Sequence, residues 1–284
     1  MHVEFSHWAN GGSQRTPTTI NTPIELFEII ARYAAQDKHT GTSLACVSKA
    51  VNLWIIPILY KCVDLHTALD IQLLQRTLEG PSGKQLALHL QTLYMGIFTA
   101  ELGQIMSEIC INIHSVIVPQ MKARWLIDLN PPNDIPWLTI LGPLRPLHLS
   151  THSTPVLKSV THLRFPSDTP DGDFGEVKKL SFTHFACVYK PIKRGITGHI
   201  YLWDVIQLLL KMETIEVLVF GIDLRKPTVH VSPTEIKKME EYLRNLEQKD
   251  RRVVVYTSDS MELKEKMTNE EFWRYAEGVI SARM

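Results

Sequence analysis

Disulfide bonds and cysteine-based zinc sites have little basis in this sequence. Its 284 residues include only four cysteines: Cys46, Cys62, Cys110 and Cys187. They form no C-x-x-C pair and no dense cluster, which a disulfide framework or a structural zinc site would require. We therefore expect free, mostly buried thiols in a protein of a reducing compartment.

An excess of one charge and long apolar runs are missing as well. Lysine plus arginine equals aspartate plus glutamate, at 30 each, so the chain has no general attraction for nucleic acid or anionic lipid. No apolar run approaches the roughly 20 residues of a membrane helix, and the first residues lack the apolar core of a signal peptide. We expect a cytoplasmic and/or nuclear protein with no nucleic acid and no membrane as a partner.

Motifs that carry chemistry are also absent from the sequence. It has no G-x-S-x-G and no glycine-rich phosphate loop. His148 and His152 are four residues apart but lie among prolines with no third ligand nearby. The acidic residues in 168–173 miss the calcium-loop register, and His184 and Cys187 are assigned to a strand and its neighbouring loop. We predict no catalytic residue, no metal site and no cofactor.

The sequence does contain a clear helix start near its amino terminus. Residues 1–20 predict a flexible segment. In Thr22-Pro23-Ile24-Glu25, the threonine can cap the helix, the proline suits the first helical position, and the glutamate can complete a capping box. Apolar residues at helical spacing predict a helix to about Gln36, with Glu28 and Arg32 paired on its polar side.

A second helix is predicted from Thr42 to Trp54, after a polar break at residues 37–41. Pro57 is expected to interrupt it, and Ile58-Leu59-Tyr60 to begin a third short element. A segment of about 40 residues is too short for a stable core of its own. The pattern therefore predicts a helical module that needs a neighbouring surface.

The rest of the chain predicts an α/β domain with parallel strand pairing, because short strand patterns alternate with helical ones. Residues 128–146 are rich in proline and predict irregular structure. The predicted strands are 160–165, 177–182, 215–222 and 252–257, and the predicted helices are 68–78, 101–113, 202–211, 233–249 and 270–281.

A degenerate repeat, aliphatic-x-x-Leu-x-apolar, runs through this domain. Its spacing varies too much for a regular solenoid but is compatible with an irregular, leucine-rich-repeat-like sheet. The copies are Leu90/Leu93/Met95, Leu144/Leu147/Leu149, Val160/Leu163/Phe165, Val177/Leu180/Phe182 and Ile215/Leu218/Phe220.

The helical module resembles an F-box. The motif residues are the helix start at 22–25 with the aliphatic helix after it, and Val47-Ser48-Lys49 in the next helix. Thr22 stands where the family usually has leucine. Residues 57–60 resemble the P-x-L-Y step that leads into the first strand in mushroom-type fungal F-box proteins. The strand at 250–255 and the closing helix at 272–277 resemble the same proteins more loosely.

This resemblance implies an α/β protein with a three-helix F-box at 21–65 and a degenerate leucine-rich-repeat-like domain at 66–284. It also implies a non-catalytic substrate receptor that links an unknown target protein to the SKP-family adaptor of a cullin–RING ubiquitin ligase. The residues expected to contact the adaptor are Pro23, Ile24, Leu26, Ile29, Ile30, Leu44, Val47, Ser48 and Lys49.

Two other functions stay open at this point. Thr22 in place of leucine favours an interaction scaffold that keeps the F-box fold without the ligase. An ordinary internal core would also explain the apolar stripe. A hydrolase or transferase without a recognisable motif would instead require a deep pocket with convergent titratable groups.

Overall fold

The protein divides into two compact units, residues 1–62 and 63–284. The computed structural model describes residues 23–97, 99–108, 110–119, 134–141, 158–165, 181–189, 197–223, 233–257 and 267–284. The predicted flexible segment 1–20 and the capping residue Thr22 lie outside these ranges. The division falls three residues before the predicted boundary at 65.

The first unit consists of three helices. They are α1 (Ile24–Ala34), α2 (Lys38–Ala45) and α3 (Lys49–Leu59). The predicted pair of Glu28 and Arg32 is confirmed at 2.7 Å. Asp37 and Ser48 cap α2 and α3, because each side chain accepts a hydrogen bond from a backbone amide three residues later. Packed between the helices is a small core of Ala31, Ala35, Val51 and Ile55.

The predicted second helix at 42–54 is wrong, because Cys46, Val47 and Ser48 separate two shorter helices. The interruption predicted at Pro57 is wrong too. Pro57 lies inside α3, two residues before its end. A proline removes one amide donor, and here the loss is confined to the last turn of the helix. Ile58 and Leu59 therefore end α3 rather than begin a third element.

The second unit is mixed α/β, as predicted, and its strands form one eight-stranded sheet. The strands are β1 (Cys62–Leu65), β2 (Thr92–Met95), β3 (Ser115–Pro119), β4 (Trp137–Leu141), β5 (His162–Phe165), β6 (His184–Tyr189), β7 (Val217–Ile222) and β8 (Val253–Thr257). The helices are α4 (Ala68–Glu79), α5 (Gly83–His89), α6 (Ala100–Glu108), α7 (Thr197–Leu210), α8 (Pro233–Lys249) and α9 (Asn269–Ser281).

Each strand lies beside the one that precedes it in sequence, in the order β1 to β8. From β2 to β8 every neighbouring pair is parallel. Parallel neighbours need a crossover connection, and a strictly sequential order means that the chain advances by one strand after each crossover. The predicted parallel pairing is therefore confirmed.

Two predictions for this unit are corrected. Trp137–Leu141 forms β4 inside the proline-rich stretch that was expected to be irregular. Ser181 and Phe182, which were predicted to end a strand at 177–182, are not in a strand. The strand of this region, β6, begins at His184. Residues 177–180, the repeat copy at 144–149 and Ser232 before α8 lie outside the described ranges.

The sheet has two faces with different partners. The core face carries Val116, Leu138, Leu163, Phe185 and Leu218, which join one large buried cluster with side chains of α4 to α8. The second face packs against the last helix, α9, through a separate cluster. That cluster contains Ala186, Val188, Val217, Val219, Val254, Tyr256, Phe272, Trp273 and Ala276.

The repeat is more regular in the structure than in the sequence prediction. An apolar-x-x-apolar-x-apolar triplet, buried at all three positions, begins at residues 90, 113, 135, 160, 182 and 215. A matching backbone ladder runs before the strands. The carbonyl of Gln91 accepts the amides of His114 and Ser115, and the carbonyl of Thr161 accepts those of Thr183 and His184. Successive strands are thus held by equivalent bonds.

Among the described residues, no helix is both long enough and apolar enough to cross a membrane.

Candidate functional site

An exposed apolar stripe lies on α1 of the first unit. Leu26, Ile29, Ile30 and Tyr33 are 49%, 63%, 53% and 82% exposed. Their spacing of three and four residues places them on one side of the helix. The opposite side carries Phe27 and Ala31, which pack against the small core. The helix is therefore apolar on both sides, and its outer side forms an exposed apolar patch of the kind found at interaction sites.

The turn between α2 and α3 carries the remaining predicted contact residues. Val47 is 61% exposed, and Lys49 is exposed at the first position of α3. Leu44 is half-buried against the small core. Ser48 has a structural role, since its hydroxyl accepts the Val51 amide at 3.2 Å. At this turn, only Val47 offers a largely exposed apolar side chain.

The start of α1 completes the predicted set. Pro23 occupies the position before the helix and makes no side-chain cap, and it is exposed. Ile24 is 45% exposed. The structure thus leaves Ile24, Leu26, Ile29, Ile30 and Val47 largely exposed.

Among the described residues of this unit, two large exposed apolar side chains were not in the predicted contact set. Tyr33 follows Ile29 and Ile30 at helical spacing. It therefore belongs to the apolar stripe of the sequence, but it was not predicted to contact the adaptor. Leu53 is 74% exposed on α3. Its exposure depends on how α3 packs, and the apolar run around it in the sequence carries no signal for that.

A buried polar network joins the start of α9 to the sheet. The Asn269 side-chain amide donates to Ser115 Oγ at 2.8 Å, and its oxygen accepts from Thr139 Oγ1 at 2.8 Å. The same oxygen accepts from an Arg164 guanidinium nitrogen at 3.3 Å. The guanidinium also lies 4.0 Å from the centre of the Phe272 ring. One side chain of α9 therefore binds β3, β4 and β5.

The other end of α9 is fixed as well. Arg283 donates to the carbonyl of Val253 and to Glu247 Oε1, both at 2.7 Å. Glu247 also accepts the amide of Val255 at 2.9 Å. Burial raises the pKa of Glu247, but these hydrogen bonds outweigh it and leave the pKa below the ordinary value. The last helix is thus held to the second unit at both ends.

A histidine cluster lies between these two attachments. His162 on β5 and His184 on β6 are register partners, and their rings stack with centres 3.9 Å apart. Nε2 of His184 is 3.1 Å from Oε1 of Glu277 on α9. Trp273 packs edge-on against both rings, at 5.3 and 5.5 Å. His184, which the sequence assigned to a strand or loop, thus becomes part of a three-residue cluster.

Burial shapes the ionisation of this cluster. Burial, together with a smaller contribution from nearby His184, lowers the pKa of His162 to about 3. Burial also lowers the pKa of His184, although Glu277 and Glu216 oppose the shift. Both rings are therefore neutral near pH 7, and each presents an unprotonated ring nitrogen.

The histidine cluster was missed because the sequence prediction required leucine in each repeat. A repeated Val/Phe-Thr-His signal was present in Val160-Thr161-His162 and Phe182-Thr183-His184, which are 22 residues apart. Equivalent positions of neighbouring parallel strands lie side by side. The repeated Thr-His pair therefore predicts adjacent histidines.

None of the four cysteines forms a disulfide bond, and the expected burial holds for two of them. Cys110 and Cys187 are buried, Cys62 is half-buried and Cys46 is exposed. Burial raises the pKa of the Cys110 thiol to about 11, which keeps it protonated and unreactive.

In comparisons with known proteins, no family model, no curated protein and no solved structure matches this chain.

Proposed function

We propose that this protein is an F-box-type substrate receptor, whose first unit binds an SKP-family adaptor and whose second unit presents a target protein to a cullin–RING ubiquitin ligase. The observation that carries the proposal is the exposed stripe of Leu26, Ile29, Ile30 and Tyr33 on a three-helix unit. An amphipathic helix with exposed anchors at such spacing suits a groove on a partner.

The motif resemblance supplies the identity of that partner. The exposed Ile24, Leu26, Ile29, Ile30 and Val47 all belong to the set that the resemblance assigns to adaptor binding. Leu44 and Ser48 have internal roles, so we assign the adaptor contact mainly to α1. Lys49 and Pro23 are exposed at the rim, where charges affect association rate more than affinity.

The second unit is compatible with a degenerate leucine-rich-repeat-like domain. Its parallel strands are in sequential order, and its buried triplets begin 23, 22, 25 and 22 residues apart from residue 90 to residue 182. Leucine-rich repeats have periods of about 20 to 29 residues. The next step, from 182 to 215, is 33 residues, and this longer step is why we propose an irregular array.

The experiment is a binding titration of the full-length chain with a purified SKP-family adaptor. The variant Leu26→Asp/Ile30→Asp places two charges in the stripe and should weaken binding at least about 100-fold. The matched control is Leu69→Asp/Leu73→Asp on α4, where two leucines four residues apart are 60% and 51% exposed. It should bind like the wild type. Equal loss in both variants, or wild-type affinity in the stripe variant, contradicts the assignment.

The second candidate function is an interaction scaffold that keeps this fold without the ligase. Thr22 in place of leucine and the inward packing of Leu44 favour it. A well-folded chain that binds no SKP-family adaptor supports the scaffold and rules out the receptor. We propose no catalytic role and no cofactor in either case.

A further inference from the structure

The histidine cluster combines three groups that serve as metal ligands in other proteins. One ligand atom from each of His162, His184 and Glu277 lies within 4.8 Å of the other two. The three side chains come from β5, β6 and α9, so the fold brings them together across more than 90 residues of sequence. Two imidazoles and one carboxylate form a ligand set used by zinc sites that keep a water ligand.

In both histidines, Nδ1 shares a hydrogen bond with the threonine that precedes it. Nδ1 of His162 and Oγ1 of Thr161 form a hydrogen bond of 2.8 Å, and Nδ1 of His184 and Oγ1 of Thr183 form one of 2.7 Å. Histidine ligands in metal sites hold their second ring nitrogen in this way. In both residues Nε2 is the ring nitrogen that does not contact the threonine, and Nε2 of His184 contacts Glu277 instead.

Charge around the cluster favours a cation at Nε2 of His184. Glu277 lies against this nitrogen, and the charge of Glu216, the residue before β7, also acts on the ring. The positive side chain two residues beyond His162, Arg164, is turned to Asn269 and the Phe272 ring. Two carboxylates thus act on His184, and one of them contacts it.

We propose that His162, His184 and Glu277 bind one divalent transition-metal cation of the zinc class, which ties α9 to the sheet. Imidazole and carboxylate ligands suit such ions. The rings now stack at 21°, and a shared ion must lie in the plane of each ring. Binding therefore opens the stack, and the half-buried His162 has more room to turn than the buried His184.

The test adds Co²⁺, whose binding is followed by visible absorption, to the full-length chain. Circular dichroism checks that each variant is folded. We expect one equivalent to give the d–d absorption of a low-coordinate site, and Zn²⁺ to displace it. His184→Gln should abolish the band. Thr183→Val, which removes only the hydroxyl that orients the ring, should weaken binding about 10-fold. His39→Gln, on the exposed side of α2, is the matched control and should leave the band unchanged.

Glu277→Gln keeps the test decisive if the buried histidine variant fails to fold, because the Glu277 side chain is 51% exposed and its replacement is isosteric. We expect at least about a 10-fold loss of affinity, as for other groups that tune a site. A folded wild type without the band, or a band that survives in both His184→Gln and Glu277→Gln, overturns the proposal. If Co²⁺ binds only weakly, and His39→Gln weakens this binding as much as His184→Gln does, surface histidines hold the ion adventitiously. That outcome overturns the proposal too.

Discussion

The two units of this protein differ in how they use their apolar side chains. Among the residues that the structure describes, four form the core of the first unit, while Leu26, Ile29, Ile30, Tyr33 and Leu53 remain about half to four-fifths exposed. Among the described residues of the second unit, the main cluster alone contains 35 buried ones. A small core limits the stability of a short module. The first unit therefore leaves much of its apolar surface exposed, whereas the second buries a large core of its own.

Equal deletions in the two units give the largest expected contrast. Leu218→Ala, at a fully buried position of β7, should lower the free energy of unfolding by about 2 to 5 kcal/mol, because it removes packed atoms and leaves a cavity. Leu26→Ala, at a half-exposed position of α1, should change it by less than about 0.5 kcal/mol. Urea unfolding of both variants measures the difference.

A large loss in Leu26→Ala without a partner present would contradict the contrast, because it would show that the stripe already packs against this chain. Addition of the adaptor sharpens the test. If the stripe is a docking surface, Leu26→Ala should reduce the stabilisation that the adaptor gives, whereas Leu218→Ala should leave that increment unchanged.

The matched asparagines of the two units give a smaller contrast. Asn269→Ala should destabilise the second unit by about 1 to 3 kcal/mol, because it leaves the hydroxyls of Ser115 and Thr139 buried without this partner. Asn52→Ala in α3 removes one part-buried bond to the carbonyl of Ala45 and should cost about 1 kcal/mol or less. Thermal unfolding compares the stability of the two variants. Equal losses of stability would show that the buried network contributes no more than a single part-buried hydrogen bond.

Local signals explain most of what the sequence predicted well. The predicted helices 68–78, 233–249 and 270–281 correspond closely to α4, α8 and α9, whereas α7 begins five residues before the predicted 202–211. Two of these helices, α4 and α9, have capping boxes, which fix a helix start by bonds within one turn. The apolar positions of α1 followed from helical spacing, but which of them are exposed did not, and their assignment to a partner came from the motif.

Tertiary effects account for what the sequence did not predict. β3 was not predicted, and β4 lies among prolines. Both are short buried strands, and they form because each pairs with the neighbouring strand. β6 was placed too early because its triplet, Phe182, Phe185 and Cys187, contains no leucine. The Asn269 network and Glu277 could not be found at all, because they come from α9 crossing the second face of the sheet, and no local pattern reports a contact 154 residues apart.

The pH dependence of stability gives the smallest expected effect and tests the histidine cluster. The pKa of His162 falls to about 3 in the folded protein, and that of His184 also falls, while an unfolded histidine titrates near 6.5. The unfolded chain therefore binds more protons between these values, and stability falls as the pH drops below about 6.5. Nothing is lost above that pH, where both rings are neutral in both states.

Between pH 7 and pH 5 we expect this cluster to cost about 1 kcal/mol, after allowance for the partial exposure of His162 and for the opposing charges of Glu277 and Glu216. The pKa values of Glu247 and Asp250 are lowered in the folded protein. Protonation of these carboxylates therefore reduces stability only as the pH falls below about 4.5. The measurement stops at pH 5 so that they do not contribute. The variant His162→Gln/His184→Gln should flatten the slope in urea unfolding, and His39→Gln should not. An unchanged slope in the double variant would show that other groups control it, and a slope of the opposite sign would show that Glu277 holds His184 protonated.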